Sequence, residues 1–128
     1  MEETRRVGRE LAVELVPDGL LLLAGDLAAG KTVLAQGVAE GLGIPAREVQ
    51  SPTYTLVREH EGPGGLLVHV DLYRLAPEEV AAVGLEEILA GPGVKVVEWA
   101  ERLPFEVPGA CRLRITARGD EDREIVEW

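Results

Sequence analysis

Apolar residues at Val7, Leu11 and Leu15 recur every fourth position between charged ones, which predicts an amphipathic helix over residues 2–15 with Thr4 as its cap. Pro17, Asp18 and Gly19 break it. Residues 20–24 are continuously apolar, the pattern of a strand buried on both faces. A glycine-containing loop follows at 25–32. Residues 31–42 then predict a helix with Val33, Leu34, Val38 and Leu42 apolar, stopped by Gly41 and Gly43. After the Ser51-Pro52 loop, residues 54–59 and 66–71 predict an antiparallel hairpin around a turn at 61–65. Pro77 opens a helical turn at 77–79, Gly84 interrupts it, and 85–90 resume as a short helix. Residues 94–99 are another apolar strand, and Pro104 and Pro108 mark a loop. Residues 111–117 and 124–128 close the chain as a hairpin around a turn at 118–122.

Strands alternating with helices point to an α/β fold. The expected architecture is a mixed, mostly parallel sheet with antiparallel hairpins and helices on both faces. A length of 128 residues and the lack of repeats or long linkers make residues 1–128 one domain. Hydrophobic and charged shares of 46% and 28% are ordinary for a globular chain and exclude disorder throughout. The net charge of −10 changes the picture more. Phosphate contacts need clustered Lys and Arg, so any RNA is reached through a basic partner. The same charge argues against anionic membranes. The single cysteine, Cys111, rules out an internal disulfide or a multi-Cys zinc site and reads as a small buried side chain. The N-terminus has no signal-peptide pattern, and the longest apolar run is too short to span a bilayer. A cytoplasmic setting is expected.

The chemistry centres on Gly25, Gly30, Lys31 and Thr32, which fill every fixed position of G-x-x-x-x-G-K-[ST]. The motif follows a strand and opens a helix, as a phosphate loop must, so the chain is expected to be P-loop NTPase-like. Backbone amides through Gly25, Ala28, Ala29, Gly30, Lys31, Thr32 and Val33 would curl around phosphates, aided by the helix N-terminus. Lys31 would reach the β- and γ-phosphates, and Thr32 would ligate magnesium. The alternative is a glycine turn with an exposed lysine.

Two apolar strands end in acids, Asp71 and Glu98, and such a strand end is the usual magnesium partner of a phosphate loop. Period two puts Leu67, His69, Asp71 and Tyr73 on one face. His69 is either structural or part of the site, Arg74 pairs with the acids or touches phosphate, and Trp99 stacks on a base or packs in the core.

Beyond the phosphate loop, the chain carries S-P-T-Y-T-L-V at 51–57, H-V-D-L-Y-R-L at 69–75 and E-W at 98–99. In order and spacing these resemble the TsaE (YjeE) family over nearly the whole chain. Ala28 and Val33 depart from the family's usual residues, and Asp122-Arg123 stands in the place of its C-terminal Gly-Arg pair. The resemblance implies an ATP-binding and ATP-hydrolysing subunit needed for tRNA N6-threonylcarbamoyladenosine formation. It implies that Lys31 and the loop amides hold ATP, with Arg123 as a further nucleotide contact. Thr32 and Glu98 would ligate Mg2+, Asp71 would organise water or the metal, and Thr53 would sense the γ-phosphate. The implied partners are TsaD and TsaB, with tRNA met only through that complex. A small-molecule P-loop kinase and a nucleotide-binding assembly module that does not hydrolyse ATP are the alternatives. No Asn-Lys-x-Asp guanine-reading motif occurs.

Overall fold

The structure, a computed structural model, describes residues 2–25, 30–49, 57–73, 78, 84–118 and 122–127. Its sheet has six strands: β1 (Leu20–Gly25), β2 (Val57–Gly62), β3 (Gly65–Asp71), β4 (Val94–Glu98), β5 (Cys111–Arg118) and β6 (Asp122–Glu127). The spatial order is β2-β3-β4-β1-β5-β6. The four inner strands run parallel, and the hairpin partners β2 and β6 add antiparallel edges. Residues 20–24 and 94–98 are buried on both faces, which is why they read as unbroken apolar runs.

Two layers cover the sheet. On one face, Leu21, Leu23, Leu67, Val96, Leu113 and Ile115 pack with α1 (Glu2–Leu15) and α2 (Lys31–Gly41). On the other, Leu20, Leu22, Val68, Val70 and Val97 pack with Leu85 and Leu89 of the short α3 (Leu85–Leu89) and with the 100–107 segment. The period-two alternation of the strands thus sorts their side chains between the two layers.

The buried stripe of α1 is Thr4, Gly8, Ala12 and Leu15, with Val7 and Leu11 only partly buried at its flank. Thr4 is therefore no cap; it lies inside the helix, 4% exposed. The reason is a close crossing with α2. A Cβ on Gly8 would meet the Leu34 carbonyl oxygen at 2.5 Å, and one on Gly37 would meet the Arg5 carbonyl oxygen at 2.2 Å. Only small residues let the backbones approach so closely. Arg5 and Arg9 reach across the crossing to Glu40 at 2.6 and 3.0 Å.

Several boundaries differ from the sequence pattern. The β2–β3 hairpin pairs through Gly62 and Gly65, so its turn is the tighter 63–64. Strand β4 stops at Glu98 because Trp99 turns into the left-handed region with φ 60°. Cys111 is half-buried, packed at the edge of the core; burial, followed by Glu127 and Glu14, pushes its thiol up. Of the helical turn expected at 77–79, residue 78 is helical and the rest lies outside the described residues, as do residues 54–56 and the turn at 119–121.

Lys95 is 2% exposed at the amino end of the parallel strands, where its ammonium donates to the Asp18 and Gly91 carbonyls at 2.9 and 2.6 Å. Burial lowers its pKa, with nearby Asp18 opposing. Those bonds supply the partners a buried ammonium needs. Among the described residues, no helix is long and apolar enough to cross a membrane.

Candidate functional site

The parallel register aligns the strands at their carboxyl edge: Leu23 of β1 and Asp71 of β3 both stand opposite Glu98 of β4. Helix α2 begins just beyond β1, after Gly30 with φ 100°. A helix N-terminus thus stands over the carboxyl ends of parallel strands, where α/β sheets bind phosphorylated ligands.

The phosphate-loop residues at both ends of the motif are described. Gly25 ends β1 with φ 138°, and a Cβ there would lie 2.2 Å from the Ile115 carbonyl oxygen of β5. Both the dihedral and the space demand glycine. The Lys31 ammonium donates to the Gly25 carbonyl at 2.6 Å. The same ammonium lies 4.1 Å from the centroid of the Trp99 ring. Lys31 is 3% exposed, so the solvent-facing lysine of the bland alternative is not what the fold contains. Thr32 and Val33, in the first turn of α2, are half-buried.

Glu98 meets this first turn directly. The Thr32 hydroxyl donates to its carboxylate, 2.8 Å from Oε1 and 3.1 Å from Oε2. From the adjacent strand, His69 Nε2 lies 2.5 Å from Glu98 Oε2. Asp71 is 8% exposed, and its Oδ1 accepts the Tyr73 N–H at 2.9 Å. The structure therefore brings together Gly25, Gly30, Lys31, Thr32, Glu98 and, at the neighbouring strand end, Asp71. Ala28, Ala29 and Thr53 lie outside the described residues, as does Arg74. Arg123 pairs opposite Ala117 in the β5–β6 hairpin, and its side chain lies outside the described residues.

Three residues join the site that the sequence pattern left open or passed over. His69 is fully buried against Glu98. Trp99 covers Lys31, with the Tyr73 ring 5.0 Å away and the Arg102 guanidinium at 5.6 Å. Glu101 accepts the Gly25 N–H at 3.4 Å. The available signal was their nearness in sequence to the two strand-end acids; what was missing was the strand order that makes β3 and β4 neighbours.

Chemically, the arrangement offers a cation, a helix N-terminus and a hydroxyl–carboxylate pair within one corner of the sheet. The oxygen donors of Thr32 and Glu98 are of the hard type that magnesium takes, so the residues present fit that ion.

Comparison with known proteins agrees with this geometry. Residues 1–125 match the family described as threonylcarbamoyl adenosine biosynthesis protein TsaE. The chain is 42% identical over 126 residues to the tRNA threonylcarbamoyladenosine biosynthesis protein TsaE of Bacillus subtilis, covering 97% of this chain and 78% of the relative. It is 39% identical over 125 residues to the protein of that name from Treponema pallidum, covering 94% and 91%. Its structure superposes on the crystal structure of Bacillus subtilis YdiB with a TM-score of 0.75 and 37% identity, over 98% of this chain and 78% of that one. A phosphate loop backed by a strand-end glutamate, on a chain matched almost end to end, places this protein in the TsaE family of tRNA threonylcarbamoyladenosine biosynthesis.

Proposed function

We propose that this chain is a single-domain, magnesium-dependent ATPase, working in the cytoplasm with TsaD and TsaB to support threonylcarbamoyladenosine formation in tRNA. The observation that carries the reading is the Thr32 hydroxyl 2.8 Å from the Glu98 carboxylate, beside a buried Lys31. An ammonium has three donors, so Lys31 can keep its bond to the Gly25 carbonyl and turn another N–H to the β- and γ-phosphates. Amides of the loop and of the first turn of α2 would hold the remaining phosphate oxygens. Thr32 and Glu98 would hold magnesium, which supplies charge neutralisation between the β- and γ-phosphates when bound. Asp71, one strand over, is the proposed organiser of the attacking water, and Thr53 the proposed γ-phosphate sensor. Arg123 is the proposed further nucleotide contact.

The chain's charge of −10 supports a division of labour in which basic partners meet the tRNA. No arginine flanks the loop motif in sequence, so turnover by the lone chain is expected to be slow. A group supplied in trans raises turnover by ~10³-fold or more in comparable phosphate-loop enzymes. Steady-state phosphate release, measured for the chain alone and with the TsaD and TsaB pair, tests this. Stimulation by the pair is expected. ATP binding without release under both conditions would replace the ATPase with an assembly module, and full-speed release by the lone chain would remove the need for a trans-acting group.

A further inference from the structure

We infer that His69 is a positioning residue for the magnesium-binding carboxylate: its imidazole holds Oε2 of Glu98 so that Oε1 is presented to Thr32 and the metal. The inference rests on the magnesium reading above and adds to it a residue that neither Thr32 nor Glu98 can replace.

His69 sits in β3 between Val68 and Val70, and all three side chains are buried. An apolar residue would serve packing there without the cost of burying a polar ring. The ring is 0% exposed and meets Glu98 through Nε2. A carboxylate oxygen accepts, so Nε2 donates. The other nitrogen, Nδ1, has no hydrogen-bond partner among the described residues. Among those residues the contact with Glu98 is thus the ring's polar function.

The geometry around Glu98 shows what that contact does. A carboxylate's last torsion is broad and roughly two-fold, so one donor alone leaves its plane poorly defined. Glu98 has donors on two different elements. Thr32 approaches from α2, nearer to Oε1 at 2.8 Å than to Oε2 at 3.1 Å, and His69 takes Oε2 from β3 at 2.5 Å. His69 itself cannot drift, because β3 is paired on both sides, with Arg58 opposite on β2 and Val96 opposite on β4. Thr32 would itself be a metal ligand, whereas His69 would hold Glu98 from outside the ligand set, as the donor that fixes Oε2 whatever position Thr32 takes. Partners that orient a metal ligand in this way typically change metal affinity about 10–100-fold when removed.

Two substitutions separate this role from packing. His69→Gln puts an amide N–H near the position of Nε2, whereas His69→Asn puts it near Nδ1, out of reach of Glu98. Calorimetric titration of ATP into the full chain, with and without magnesium, gives the nucleotide affinity and the magnesium concentration for half-maximal effect. His69→Asn should raise that concentration about 10–100-fold while leaving the magnesium-free affinity unchanged, and His69→Gln should return it toward the wild-type value. A thermal melt accompanies each variant, and His69→Leu carries the same arm if the Asn variant does not fold. An unchanged magnesium requirement in the folded Asn or Leu variant overturns the inference. So does an equal loss in Gln and Asn, or a magnesium-free affinity that falls in step. Wild-type protein whose ATP affinity ignores magnesium would instead overturn the metal reading itself, and this inference with it.

Discussion

Removing the Lys31 side chain should have two separable consequences. Its ammonium donates to the Gly25 carbonyl at 2.6 Å and stands 4.1 Å from the Trp99 centroid, with the residue 3% exposed. A hydrogen bond from a charged donor contributes roughly 1.5–3 kcal/mol. A cation–π contact contributes roughly 0.5–2 kcal/mol. Desolvation of the buried ammonium opposes both, so Lys31→Ala should lower stability by about 1–2 kcal/mol. For a domain of this length that is a fall in Tm of about 3–10 °C. The second consequence concerns ligand. At a hundred times its Kd, ATP should stabilise the wild type by about 2.7 kcal/mol, and the alanine variant should gain almost none of it. Thermal unfolding of both proteins, with and without magnesium-ATP, reads both effects in one assay. An alanine variant that is as stable as the wild type would refute the burial argument. One that still gains the full ATP-dependent rise would refute the phosphate-loop argument.

Two further outcomes follow from the strands at the site. Gly25→Ala should cost about 3 kcal/mol or more in a urea titration, because its Cβ would lie 2.2 Å from the Ile115 carbonyl oxygen at φ 138°; a loss under 1 kcal/mol, by the same strain principle, would show that β1 and β5 can part there. Glu98→Ala should abolish the magnesium dependence of ATP binding, whereas Asp71→Ala should spare binding and depress turnover, the signature of an interaction made in the transition state. Titrations with and without magnesium beside phosphate-release assays separate the two acids, and the opposite pattern would exchange their roles.

How much of this was legible beforehand depended on whether the physics is local. Residues 20–24 and 94–98 announce buried strands because burial on both faces excludes polar residues from them. The motif from Gly25 to Thr32 announces its loop because the backbone conformation there restricts residue type, as the φ of Gly25 and Gly30 bears out. The pairing of Glu98 with Thr32 was also within reach, since a strand-end acid beside a phosphate loop has few other places to point. The α1–α2 crossing was not. Apolar spacing selects Val7 and Leu11, yet the tightest face is Thr4, Gly8 and Ala12, because backbone approach there is limited by volume rather than hydrophobicity. The role of His69 was hidden for a different reason. Period two gives the face on which it lies, but its partner is on β4, and no local pattern states that β3 and β4 are neighbours. Trp99 was read as the last residue of a strand; its left-handed φ, which places the ring over Lys31, is a conformation that L-residues seldom adopt.

The charges at the carboxyl edge tie these observations together. Glu98, Asp71 and Glu101 gather there with Lys31 and Arg102. Two unit charges 4 Å apart interact by about 4 kcal/mol at the effective dielectric of a protein surface. On the proposed reading, a bare triphosphate arriving at Lys31 would meet repulsion from the carboxylates gathered at that edge. Thr32 and Glu98, if they hold a divalent cation as proposed, would reverse that sign, because such an ion attracts phosphates and carboxylates alike. The acids are therefore not neutral background to the phosphate loop. On the proposed reading they would make the site unfavourable for free ATP and favourable for the magnesium complex, and an orienting donor such as His69 would gain its importance from that dependence on one well-placed carboxylate.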